Sequence, residues 1–127
     1  MRSTSLLLVA VAALAGCAPQ GLQPGAPDAL GHELAGRSPA GTSSCVSQFG
    51  SQNVRVVNAN TIAYGNGRTV YINRLTSACP ALSPHNSLII ESQGGQYCRG
   101  DHIRGLEPGA IIPGPTCFLG DWTAYRR

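Results

Sequence analysis

Val54-Arg55-Val56-Val57-Asn58-Ala59-Asn60-Thr61-Ile62-Ala63-Tyr64-Gly65-Asn66-Gly67-Arg68-Thr69-Val70-Tyr71-Ile72-Asn73 decides the fold class of this chain. Residues 54–57 read as a β-branched strand, 58–60 as a turn and 61–64 as the partner strand. Gly65-Asn66-Gly67 supplies the positive φ angles of a tight hairpin, and 68–73 return with period-two alternation. Outward from this core the same texture recurs. Residues 87–92 form a fourth strand, Gly94-Gly95 turns it into 96–99, and a further strand runs over 102–106. Residues 116–122 close the sheet after a loop broken by Pro108, Gly109, Pro113, Gly114 and Pro115. Residues 74–84 hold one short helix or an irregular turn before Pro80 and Pro84. The expectation is an all-β domain over 44–127, a small disulfide-stapled antiparallel meander or partly open barrel of roughly five to seven short strands.

A core this small supplies little stability on its own, which gives the cysteines weight. Cys45, Cys79, Cys98 and Cys117 are an even set, and in an exported chain they read as two disulfides with three possible connectivities. The preferred pairing joins Cys79 to Cys98, a loop to the neighbouring strand, and Cys45 to Cys117, the start of the domain to its last strand. The competing reading is zinc, held by Cys79, Cys98, His85 and His102. Zinc sites usually include a close cysteine pair, whereas here no two cysteines are nearer than nineteen residues.

Export itself is read at the N-terminus. A short lead containing Arg2 precedes the apolar run 6–15, whose helical length of roughly 15 Å is about half a bilayer core, so residues 1–16 read as a signal peptide. Leu14-Ala15-Gly16-Cys17 resembles the lipobox of bacterial lipoproteins. The resemblance implies that Cys17 carries diacylglycerol and begins the mature chain, which makes the membrane a partner through the lipid. Ala18 and Pro19 follow without the aspartate that retains such proteins at the inner membrane, so the periplasmic face of the outer membrane is expected. Residues 17–43 carry repeated proline and glycine and read as a flexible tether, with roughly 28 Å of root-mean-square reach. Within it, Asp28 is placed to start one helical turn over 28–34.

The chain has nine arginines, no lysine and six carboxylates. Loss of Arg2 with the leader leaves a near-balanced charge that argues against nucleic acid as a partner. No serine lies in Gly-x-Ser-x-Gly, Ser-x-x-Lys is excluded without lysine, and phosphate-loop and dinucleotide fingerprints are missing. Asp101 and His102 are neighbours on a strand and point to opposite faces. Arg99-Gly100-Asp101 reads as a bend, not as an adhesion tripeptide. A Cys-His nucleophile needs an unpaired thiol, which two bridges do not leave. No catalytic residue, metal or cofactor is therefore expected. Tyr64, Tyr71, Tyr97, Phe118 and Trp122 are most economically core or sheet-face residues. Sharing an exposed face with Arg55, Arg74 or Arg104 would make them a binding patch, for which Tyr71, Arg74 and Trp122 are the candidates.

The run Tyr71-Ile72-Asn73-Arg74-Leu75-Thr76-Ser77-Ala78-Cys79-Pro80-Ala81-Leu82, with Tyr97-Cys98-Arg99-Gly100-Asp101 and Cys117-Phe118-Leu119-Gly120, resembles a family of small exported proteobacterial domains of unknown function. The resemblance implies an exported, cysteine-bearing single domain and brings no activity, cofactor or catalytic residue. The leading expectation is a non-catalytic binding or structural module of the cell envelope, with an envelope protein or polymer as partner. The alternative is an inhibitor of a cell-wall hydrolase such as lysozyme, by analogy of architecture.

Overall fold

The computed structural model describes residues 28–49 and 53–127, so the expected leader, Cys17 and the first part of the tether lie outside the described residues. The chain runs through α1 (Ala29–Leu34), β1 (Ser38–Ser43), β2 (Cys45–Ser47), β3 (Val54–Asn58), β4 (Thr61–Tyr64) and β5 (Thr69–Arg74). It continues through β6 (Ser87–Glu91), β7 (Gln96–Cys98), β8 (His102–Leu106), β9 (Cys117–Phe118) and β10 (Trp122–Arg126). All pairings are antiparallel: a five-stranded sheet in the order β1-β10-β5-β4-β3, a three-stranded sheet β6-β8-β9 and the pair β2-β7. The all-β, disulfide-stapled expectation holds, and the sheets do not close into a barrel. Among the described residues no helix is long and apolar enough to cross a membrane.

The quoted stretch folds as read, with Gly65 and Gly67 at positive φ of 85° and 72° in the hairpin turn. Alternation then gives the large sheet two apolar faces. Ile62, Tyr64 and Trp122 point into the main core with Ile103, Leu119 and Leu75. Ala63, Val70 and Ile72 point the other way, with Val57, towards Leu30 and Leu34 of α1. Every residue of β4 is buried, as a strand covered on both faces requires. The three-stranded sheet covers the first face, with Leu88, Ile90 and Ile103 turned inward.

Three expectations are corrected. The folded unit begins before residue 44, because α1 docks on the sheet and β1 pairs with β10 from Ser38↔Arg126 to Ser43↔Trp122. β1 left no trace in the sequence pattern because all six of its residues are exposed; it is held chiefly by its backbone ladder to β10, with one side-chain contact between the Thr42 and Thr123 hydroxyls at 3.4 Å. The closing strand over 116–122 is two strands, β9 and β10, split where Gly120 passes under β5. A Cβ on Gly120 would collide with the Arg74 carbonyl, and the side chain of Asn73, fully buried, bonds both polar groups of that glycine. Asn73 Nδ2 donates to the Gly120 carbonyl at 2.8 Å, and the Gly120 N–H donates to Oδ1 at 2.9 Å. Residues 74–84 contain no helix, only turns.

The third correction is the cysteine pairing: the bridges are Cys45–Cys98 and Cys79–Cys117. Cys45 faces Cys98 directly across the β2-β7 ladder, with Cα atoms 4.0 Å apart. Cys79, in the loop after β5, reaches Cys117 of β9 inside the main core. Closing loops of 53 and 38 residues removes roughly 4 kcal/mol of unfolded-state entropy each when taken singly. Both Cys79 and Cys98 are thereby committed to separate bridges, which dismantles the cysteine half of the zinc alternative.

Digestion without reduction checks the pairing. Trypsin alone leaves Cys79 and Cys98 in one peptide, 75–99, so cleavage after Glu91 is added. Peptide 38–55 should then travel with 92–99, and 75–91 with 105–126; a 38–55 to 105–126 adduct would refute the assignment. Asn73→Ala should cost about 2–4 kcal/mol in urea unfolding, since it strands two buried backbone groups.

Candidate functional site

A groove of about 720 Å³ follows the outer edge of β3. Val54, Arg55, Val56 and Val57 all line it. Side chains of a strand alternate between faces, so four consecutive lining residues mean that the strand is met edge-on. α1 forms one wall with Ala29, His32 and Glu33. The opposite wall is β6 with its approach, through Pro84, Asn86, Leu88 and Ile90, together with Tyr97 of β7. Among the described residues β3 pairs only with β4 and β6 only with β8, so both strands turn an unpaired edge outward.

The wall made by α1 is fixed by one ion pair. Six residues are too few for a helix to be stable alone. Leu30 and Leu34, four apart, seat it on the sheet, and Arg55 then grips Glu33 from below. Arg55 Nε and Nη2 donate to the two Glu33 carboxylate oxygens, each at 2.9 Å, while Nη1 donates to the Gly65 carbonyl at 2.9 Å. The hydrogen bonds from Arg55 hold the Glu33 carboxyl below its ordinary value of 4.5, against a partial burial that pushes upward; the charges of Arg55, Arg37 and His32 add to the lowering. Glu33 is thus a structural anion, with one hydrogen bond from Arg55 on each carboxylate oxygen.

Tyr97 links the groove to the core. Its ring meets Tyr64 edge-on at 5.4 Å and Trp122 at 6.4 Å, and burial followed by the neighbouring Tyr64 raises its phenol above the usual 10.0. The Phe49 N–H donates to the Tyr64 hydroxyl at 2.8 Å, so this tyrosine belongs to the scaffold.

The trio of Tyr71, Arg74 and Trp122 does not form the expected patch. Trp122 is wholly buried in the main core, Tyr71 is half-buried against it, and Arg74 is exposed at the end of β5 on the opposite face from Tyr71. Fully satisfying the core with its largest side chain explains the first: the strand that carries Trp122 is central, not peripheral. The pairing of an aromatic with an arginine occurs instead in the groove, through Tyr97 and Arg55. Sequence reasoning passed over His32, Glu33 and the 54–57 edge as a site, since their convergence depends on α1 docking.

A second surface lies on the outer face of the three-stranded sheet. Glu91 meets His102 Nδ1 at 3.2 Å and Arg104 Nε at 3.7 Å, with Phe118 edge-on to His102 at 5.1 Å. Asp101 turns away from this cluster, and its carboxylate accepts from the Cys98 N–H at 2.8 Å in the bend that Arg99-Gly100 makes. The loop between β8 and β9 projects Ile111, 93% exposed, and Ile112, 78% exposed. Among the described residues no group of three or more histidine, cysteine or acidic side chains is arranged to hold a metal ion. Comparison with protein-family models, with curated proteins and with solved structures yields no match to this chain.

Glu33→Gln checks the hinge of the site. The folded-state lowering of its pKa gives stability that is complete above the ordinary carboxylate value and lost as pH falls through the depressed one. The variant should therefore lose roughly 0.5–1 kcal/mol near pH 7, a partly exposed pair being screened by solvent, and should show a flatter acid limb in urea titrations between pH 7 and pH 3.

Proposed function

We propose that this chain is a lipid-anchored envelope lipoprotein whose domain is a non-catalytic binding module, with the β3 groove as its binding surface. The observation that carries the reading is the groove itself: concave, walled by Leu88, Ile90 and Tyr97 on one side, and with its carboxylate Glu33 already neutralised by Arg55. A site of this composition recognises shape and backbone, with its one carboxylate held in an ion pair. Two structural disulfides suit an oxidising compartment, in keeping with the leader and lipobox read at 1–17. The outer membrane is the favoured membrane, because Ala18 and Pro19 follow Cys17.

The anchor also bears on reach. The described residues begin at Asp28, and the ten residues between it and Cys17 span at most about 40 Å of chain. The partner is accordingly a neighbour at the membrane surface.

The inhibitor reading has one observation in its favour, the projecting Ile111-Ile112 loop. Residues 108–120 carry no charge, however, and a loop entering a glycosidase cleft meets paired carboxylates that call for a cation. The groove reading is better supported. A Cys17→Ser chain expressed with alkynyl palmitate tests the anchor: label and membrane association should both disappear, and retention of either would overturn it.

A further inference from the structure

The large sheet ends in two edge strands that are treated differently. β1, at one edge, carries Pro39, breaks register between Pro39 and Thr42, and exposes only small side chains, half of them hydroxyls. These are the devices by which a sheet prevents further pairing. β3, at the other edge, is Val54-Arg55-Val56-Val57-Asn58, apolar but for the terminal Asn58 and an arginine whose guanidinium is folded back onto Glu33 and the Gly65 carbonyl. Its one register irregularity lies between Val56 and Asn58, leaving 54–56 regular.

Unpaired backbone donors and acceptors are obligatory hydrogen-bonding groups, and along β3 they line a groove and not an open flank. The groove is also lined by β6, a second unpaired edge. We propose that the β3 groove takes an extended polypeptide segment of a partner protein, which pairs with β3 as an added strand. This rests on the binding-module reading above and names the class of ligand. The five residues of β3 offer roughly 17 Å of edge, enough for a strand of about five residues.

The walls impose alternation on that segment. One set of its side chains faces Leu88, Ile90 and Tyr97, and the intervening set faces His32 and the Arg55–Glu33 pair. The first set is apolar. The second is small or polar and uncharged, because the groove's arginine and glutamate already neutralise each other and either sign of added charge would break that pair. With at most about 40 Å of chain between Cys17 and Asp28, the segment is met close to the membrane surface.

The test places a photoreactive benzoylphenylalanine at Asn53 or Ser87, both at the groove, and at exposed Arg74 as the control, in the full-length chain in its own envelope. Irradiation should join the two groove positions, and not Arg74, to one polypeptide segment that mass spectrometry locates. That segment, synthesised, is then titrated against the purified full-length chain in detergent, once unmodified and once with a single backbone N-methyl group moved along it. Methylation at every second residue should weaken binding about tenfold or more, and at the residues between them about twofold or less. Adducts to glycan, to lipid or to a second copy of this chain would overturn the proposal, as would no adduct at either groove position or an N-methyl profile without alternation. Because the titration is done in detergent, loss of the Cys17 anchor alone would leave alternation in place and separate the failure of the anchor from the failure of strand addition.

Discussion

The two-sided burial of β4 is the constraint on which the rest of this structure depends. Thr61, Ile62, Ala63 and Tyr64 are all shielded from water, so the sheet must be covered on both faces, and the chain supplies two unlike covers. On one face the three-stranded sheet brings Ile103, Leu119 and Cys117 against Trp122 and Tyr64. On the other, a six-residue helix closes over Ala63, Val70 and Ile72. The second cover is thin, and this thinness is what leaves a groove: α1 reaches β3 through Glu33 and Arg55 and stops there, without overlaying the strand's outer edge.

Small elements of this kind cannot stand alone. An isolated two-stranded ribbon is marginal in water, and β2-β7 is only three residues deep. Cys45–Cys98 ties that ribbon at one end, next to the Val46–Tyr97 pair, converting a weak pairing into a fixed position for Tyr97, whose ring then serves both core and groove. Cys79–Cys117 does the corresponding task for the loop after β5, and the Asn73–Gly120 bonds hold the crossing from β9 to β10. Positional precision at the groove thus comes from covalent and buried polar links more than from the bulk of the core.

Most of the sheet was legible because burial on a sheet writes itself as period two. β3, β4 and β5 lie within a residue of where alternation and the Gly65-Asn66-Gly67 turn put them, and β6, β7 and β8 follow nearly as closely. β1 escaped because pattern reading detects burial, and Ser38-Pro39-Ala40-Gly41-Thr42-Ser43 buries nothing; its bonds are chiefly backbone bonds, to which sequence is nearly silent. The cysteine pairing escaped for the same reason, since it turns on β2, too short to show alternation. Trp122 is the core residue that was its more economical reading, and its alternative place in a binding patch fails because strand order sets β10 between β1 and β5. The groove was illegible in principle: Glu33 and Arg55 are far apart in sequence and belong to different elements.

The same comparison bears on why one edge of the sheet is open. A proline, a register break and a polar surface cost β1 little, because nothing is buried there. β3 cannot adopt that solution without losing Val54 and Val56 from the main core, so its edge stays regular and apolar as a consequence of the core it helps to build. What remains available for protection is the space beside it, and α1 and β6 narrow that space without filling it. An edge that is necessarily pairing-competent, yet recessed between two walls, resists casual association with other chains by restricting entry to a single slender strand. Openness and selectivity at β3 then have one origin, the packing of a small core that needs its outermost strand.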